Sequence, residues 1–165
     1  MNKIASFSIL VFCIVMTTII IAFERTKIRT QGEYKLTNLS QDVRVYFDEY
    51  GIPHIEGQNS TDVYKTLGFV MASERLFQMD LLRRLVNGEL SEIFGKESLN
   101  VDILSRKLQL KGNASKFLDQ NIEAIGPKIK QQLNAFVEGI DEFIKTRPLP
   151  IEFHLLGAKP GKFQV

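Results

Sequence analysis

Hydrophobic and polar positions follow three different rhythms along the chain. From Ile4 to Phe23 (IASFSILVFCIVMTTIIIAF) no charge interrupts twenty residues, the length at which a helix crosses a hydrocarbon core of about 30 Å. After a polar stretch over residues 24–40, Val43, Val45 and Phe47 alternate with Asp42, Arg44 and Tyr46, the period of two that marks a strand with one buried face. Glu49, Tyr50 and Gly51 suit a three-residue hairpin loop closed by a glycine at positive φ. Pro53, which has no N–H to donate, confines the returning strand IPHIEG to an edge or to the first position of a ladder.

Helical spacing takes over beyond the hairpin. Asn59 to Asp62 offer N-cap side chains for a helix from about Val63 to Val86, and Asn87-Gly88 is a customary stop. Leu67, Val70, Met71, Phe77, Leu81, Leu82 and Leu85 cover far more than one stripe of that helix, so most of its circumference is expected to be buried. Glu74, Arg75, Gln78, Asp80, Arg83 and Arg84 then need partners inside the protein, because an unpaired buried polar group costs a few kcal/mol. ELSEIFG reads as a short helical turn ended by Gly95, and a further helical stretch runs from about Leu99 to Ala124. Gly126-Pro127 breaks it, with Pro127 at a favourable first helical position. Ile129, Leu133, Phe136, Val137, Ile140 and Ile144 follow as an i, i+3, i+4 stripe, so the last helix packs on one face. TRPLPIEFHLLGAKPGKFQV reads as a proline-rich extended exit.

Composition adds limits rather than elements. With 165 residues, 44% hydrophobic and 24% charged, the chain can build one modest core and is not disordered. The net charge of +2 is unevenly placed: residues 1–30 contribute +3 and the remainder about −1, which leaves no basic footprint for nucleic acid. Lys3 and the amino terminus precede the apolar run as in an export signal, but IIAFER is a poor cleavage site. Residues 1–30 are therefore read as an uncleaved signal anchor and linker, with a cleaved signal as second choice, and residues 31–165 as the body. Arg25, Lys27 and Arg29 outnumber the charges before the apolar run and taken alone would keep the body in the cytoplasm. Cys13, the only cysteine, lies within that run, so neither an intrachain disulfide nor a cysteine-based zinc site is available.

Taken singly, the polar residues nominate no catalytic, cofactor-binding or metal site. His54 and Glu56 share a strand face with no nucleophile beside them, and a structural histidine is the stronger reading. Asp48 and Glu49, as neighbours at a turn, point apart, and an Asp there more often accepts backbone N–H bonds. His54 and His154 would need a third placed ligand to hold a metal. Glu74 and Arg75 are read as one end of an internal salt-bridge network, which can also support a site from behind. There is no GxSxG, phosphate-binding glycine loop or HExxH.

The combination says more. VRVYFDEYGIPHIEG, then DVYKTLGFVMASERLFQMDLLRRLVNGELSEIFG, then PIEFHLLGAKPGKF resembles the start of the α-chain of the penicillin acylase family. These are N-terminal-nucleophile amidohydrolases that include acyl-homoserine-lactone acylases. The resemblance runs from about Gly32 to the end and is strongest over Asp48 to Ile55 and Glu74 to Arg84. MASERLF departs slightly, with Ser73-Glu74 where the family usually has Gln-Asp or Gln-Glu, but the acidic position is kept.

The resemblance implies an α+β chain: a β-hairpin followed by mostly helices, the N-terminal fragment of an αββα sandwich made by autoproteolysis of a longer precursor. It implies a scaffold hairpin, with the long helix after it covering the sheet. It also implies a β-chain partner from the same precursor, whose new N-terminal Ser attacks the amide of an N-acyl substrate with its own α-amino group as base. No serine here follows a glycine, so the nucleophile is expected outside this chain, as are the acyl-pocket residues and the ligands of a structural calcium. Family members act outside the cytoplasm, which places the body on the outer side of the membrane met by residues 4–23. The alternative, from a different class, is a catalytically inactive, membrane-tethered helical module that binds a partner through the stripe of its last helix.

Overall fold

The computed structural model describes residues 3–26 and 32–164. A first helix, α1 (Lys3–Thr26), carries the apolar run. The hydroxyls of Thr17 and Thr18 donate to the carbonyls of Cys13 and Ile14 one turn back, the latter at 2.9 Å, which satisfies two of the side-chain donors on a largely apolar stretch. Among the described residues no helix is long and apolar enough to cross a membrane. The span expected from Ile4 to Phe23 reaches past Phe7–Ile21 into side chains outside the described residues.

The hairpin forms as its alternation predicts. Strands β1 (Arg44–Phe47) and β2 (Pro53–Glu56) pair antiparallel, Val45 opposite Ile55 and Phe47 opposite Pro53. Gly51 closes the loop at φ 75°, a conformation that only glycine adopts without strain. The Asp48 N–H donates to Ile52 O at 3.1 Å. Ladder bonds recur at every second residue, so Tyr46/His54 share them while Phe47/Pro53 fall at a position where β2 needs no donor. That phase is why Pro53 is tolerated in a strand.

Helix α2 (Ser60–Asn87) is bounded as read: Asn59 Oδ1 accepts from the Asp62 N–H, and Gly88 ends the helix in the left-handed conformation at φ 69°. It is not smooth inside. Arg75 leaves helical geometry at φ −145°, ψ 31° and kinks the helix. A short helix α3 (Ser91–Phe94) ends at Gly95 as expected and leads through a 3-10 turn (Gly95–Ser98) onward. The single helix expected from Leu99 to Ala124 is two, α4 (Leu99–Lys107) and α5 (Leu110–Ile125). Gln109 turns through φ 50° between them. Helix α6 (Pro127–Thr146) begins on its proline as predicted. The exit segment is not wholly extended, for Pro150 opens a short helix α7 (Ile151–Leu155) whose Phe153 is fully buried.

The core lies between α2 and α6, with α7 closing one end: Phe69, Ala72, Leu76, Ile140, Phe143 and Phe153 form its buried cluster. Phe69 meets Phe143 edge-on at 5.5 Å between ring centres, and Phe77 meets Phe153 at 5.4 Å. The helices approach so closely because glycines face backbone. A Cβ on Gly68 would lie 2.0 Å from Phe136 O, and one on Gly139 2.0 Å from Lys65 O. Thus α2 packs chiefly on a helix rather than over the hairpin. Its burial is also less complete than its composition suggests: Leu82 is 64% exposed. On α6 the buried stripe starts beyond Ile129, which is exposed.

Candidate functional site

The hairpin gathers Asp48, Tyr46 and His54, but into a turn rather than a reaction centre. Asp48 Oδ1 accepts the N–H groups of Tyr50 and Ile52, both at 2.9 Å, and Oδ2 lies 3.1 Å from His54 Nε2. The Ile52 N–H and then His54 hold the Asp48 carboxyl below its ordinary range. His54 stacks flat on Tyr46, ring centres 4.9 Å apart. The partner of His54 is therefore Asp48 and not Glu56, because Asp48 turns back over the loop while Glu56 is two residues further along the strand. His154 is exposed on α7. Among the described residues no group of three or more His, Cys, Asp or Glu is placed to hold a metal ion.

The internal ion network exists but is displaced from Glu74-Arg75, both of which are exposed at the kink. Its hub is Asp80, 0% exposed. Asp80 accepts from Arg83 Nε at 2.8 Å, Arg84 Nε at 2.7 Å and the Gly161 N–H at 2.9 Å. Arg83 extends the network to Glu89, and Arg84 to Glu92 and the carbonyl of Lys159. Burial alone would raise the Asp80 carboxyl; the Gly161 N–H and the two guanidinium groups outweigh it and hold the pKa low. The network thus ties the far half of α2 to α3 and to the chain leaving α7.

Other carboxylates that the pattern of the sequence did not single out do similar work. Asp62 collects the N–H groups of Ser40 and Gln41 and the hydroxyl of Ser40. Asp102 accepts the N–H groups of Leu90 and Ser91, both at 2.8 Å, in front of α3. Glu142 holds the Thr37 N–H and hydroxyl, while Lys65 Nζ donates to Thr37 O at 2.7 Å. Only the position of Asp62 near a helix start was a signal.

Among the described residues lies a large concavity, a cleft of about 670 Å³ between residues 32–47 and the faces of α2 and α6. Tyr34, Val43, Val45, Phe47, Phe69 and Phe143 give it apolar walls, and Ser73, Glu74 and Arg147 add polar groups. The Ser73 hydroxyl is spent on Val70 O at 2.7 Å, so the cleft presents no nucleophile with a base beside it. The Arg147 guanidinium lies 4.2 Å above the Tyr34 ring, and its Nε is buried without a hydrogen-bond partner. Three separated stretches of sequence line this cleft, which is why no local pattern announced it.

The penicillin amidase family model matches residues 42–165. This chain belongs to the penicillin amidase family. The match begins ten residues after the resemblance expected from about Gly32. Penicillin acylase 2 proenzyme from Pseudomonas sp. (strain SE83) is 43% identical over 134 residues, 81% of this chain and 17% of that protein. Acyl-homoserine lactone acylase QuiP from Pseudomonas syringae pv. syringae (strain B728a) is 34% identical over 137 residues, 82% of this chain and 16% of that one. The thermostable penicillin G acylase from Alcaligenes faecalis shares the fold with a TM-score of 0.65 at 24% identity, covering 76% of this chain and 67% of that chain. The chain therefore spans less than a fifth of these curated relatives, and its mostly helical body with a two-stranded hairpin is a penicillin acylase fragment by shape.

Proposed function

We propose that this chain is the N-terminal part of the α-chain of an acylase that hydrolyses the linear amide of N-acyl substrates, releasing a carboxylic acid and an amine. The observation that carries the reading is the unbroken family match over residues 42–165. An N-terminal Ser, produced by autoproteolysis downstream of Val165, attacks the carbonyl. Its α-amino group takes the proton, and an Asn side chain and a backbone N–H stabilise the oxyanion. Residues 32–164 act by placement: helices locked by Asp80 and by the glycine contacts of α2 and α6 hold the nucleophile's surroundings, and sub-ångström placement is what positioned catalysis requires. Taken alone, the fragment is inactive. Two kinds of acyl group fit the reading, aromatic as in penicillin G or a fatty chain as in acyl-homoserine lactones.

A structural calcium, in this reading, takes its ligands from outside residues 1–165. Ile4 to Phe23 anchor the protein or direct its export, with the body on the periplasmic or extracellular side; the threonine hydroxyls satisfied within α1 support a lipid setting. The test is to translate the DNA after Val165 and assay the whole product on phenylacetyl and long-chain acyl amides. A Gly-Ser junction whose Ser→Ala variant loses all hydrolysis is expected. An open reading frame without such a junction defeats the proposal.

A further inference from the structure

We propose that α4 and α5 form a surface that lies on an anionic lipid membrane. The proposal goes beyond the acylase reading and holds whether or not residues 4–23 stay attached as an anchor. Two independent observations carry it. The first is an inversion of the pattern expected of a helix that rests on a core. On α4 the buried residues are polar, Asp102 and Ser105, while Val101, Leu104 and Leu108 share one face at i, i+3 and i+7 and are exposed, Leu104 at 56% and Leu108 at 53%. The polar side is accounted for, since Asp102 accepts the N–H groups of Leu90 and Ser91. Helix α5 repeats the exposure: Leu110 and Phe117, two turns apart on one face, are both exposed, Phe117 at 64%.

The second observation is the sign of the charge. Between residues 99 and 118 stand Arg106, Lys107, Lys111 and Lys116, all exposed, and a single acid, Asp102, which is buried. Glu89 faces Lys111 across from α2, and Asp119 is the next acid along α5, so Lys107 and Lys116 are the cations to test. Exposed leucine and phenylalanine interleaved with lysine and arginine make a helix that lies in a membrane interface, its apolar side chains among the acyl chains and its cations at the phosphates. With 9 and 16 residues, α4 and α5 are about 14 and 24 Å long. They can rest on a bilayer but not cross its core of about 30 Å.

The same charges weigh against other occupants. A second copy would set these four cations against their own kind, and like charges across an interface repel. The rest of a longer precursor would have to bury lysines, which are depleted from the core of protein interfaces.

The test is hydrogen exchange over residues 99–118 of the full-length mature protein, alone, with phosphatidylcholine vesicles and with vesicles containing phosphatidylglycerol. A Lys107→Gln, Lys116→Gln double variant runs beside it, and flotation records whether the protein is vesicle-bound at all. On phosphatidylglycerol vesicles the amides of α4 and α5 are expected to exchange at least about tenfold more slowly than in the protein alone, with little change on phosphatidylcholine. The double variant should need about thirtyfold more anionic lipid for the same protection.

Slow exchange without lipid that vesicles leave unchanged overturns the proposal in favour of a cover supplied by the rest of the precursor. Slowing that grows with protein concentration in the absence of lipid overturns it in favour of a second copy. Fast exchange on anionic vesicles, or equal slowing on the two lipids, overturns it outright. A protein that floats while residues 99–118 exchange as they do in water keeps its anchor and loses only this inference; amide hydrolysis, read separately, decides the acylase reading.

Discussion

Asp80 shows how a single side chain decides what the polar residues of an apolar helix are for. Its carboxylate faces two guanidinium groups and a backbone N–H at 2.7 to 2.9 Å in a fully buried setting. Asp80→Ala leaves two arginines without their shared partner and should destabilise the protein by about 3–5 kcal/mol. Chemical denaturation of variant and wild type measures the difference. The same residues set a pH dependence. Asp62, Asp80 and Asp102 all have folded pKa values depressed below the ordinary 3.8. The unfolded chain therefore takes up protons first on acidification. Their stabilisation is complete above that ordinary value and is lost as pH falls through the folded values. A series of melting temperatures between pH 6 and pH 3 should stay level at first and drop steeply below about pH 4. The sequence identified the right helix and the right charge types but placed the network at Glu74-Arg75. The pairing of Asp80 with Arg83 and Arg84 is i,i+3 and i,i+4 spacing along α2; what the spacing does not encode is the arrival of Glu89, Glu92 and the 159–161 backbone, which extends and buries the network.

Between elements, α2 and α6 cross with backbone close to backbone, and that crossing depends on the absence of two side chains. Replacing Gly139 by Ala puts a methyl carbon 2.0 Å from Lys65 O, and the backbone cannot yield without separating the helices. A loss of about 1–3 kcal/mol or more is expected from such overpacking, measured as a lowered denaturation midpoint. Gly112→Ala, where a Cβ meets nothing within 4 Å, should instead be neutral or stabilising by up to about 1 kcal/mol in its helix. Element boundaries were legible wherever a residue has one strong local reason: Gly51 and Pro53 in the hairpin, Asn59 and Gly88 around α2, Gly126-Pro127 before α6. The break between α4 and α5 was not, because Leu108 and Gln109 are ordinary helix formers and Gln109 adopts φ 50° only in its tertiary context. The exit helix was hidden for the opposite reason. Pro148 and Pro150 look like breakers, yet Pro150 serves as the start of α7 and delivers Phe153 to the core.

The whole molecule looks unfinished on its own terms. Its sheet has two strands, among the described residues, and a two-stranded sheet is marginal without something packed on it. Tyr46, Phe47, Tyr50 and Ile52 stand exposed on the hairpin, Tyr50 at 80%, and Leu99, Leu104, Leu108 and Phe117 along α4 and α5. A contiguous apolar patch, where such residues adjoin, is the kind of surface that an interface covers. The sequence could show that the core was small and the helices apolar. It could not show the cleft, whose walls come from residues 32–47, α2 and α6 together. These features agree with a family in which this stretch is under a fifth of the protein, and they give the fragment reading its physical content. Intact-mass and N-terminal sequence analysis of the complete gene product is the most direct check. The account predicts two chains, the second beginning with Ser and the first containing residues 32–165. A single uncleaved polypeptide that nevertheless hydrolyses amides, or a stable product ending at Val165, would contradict it.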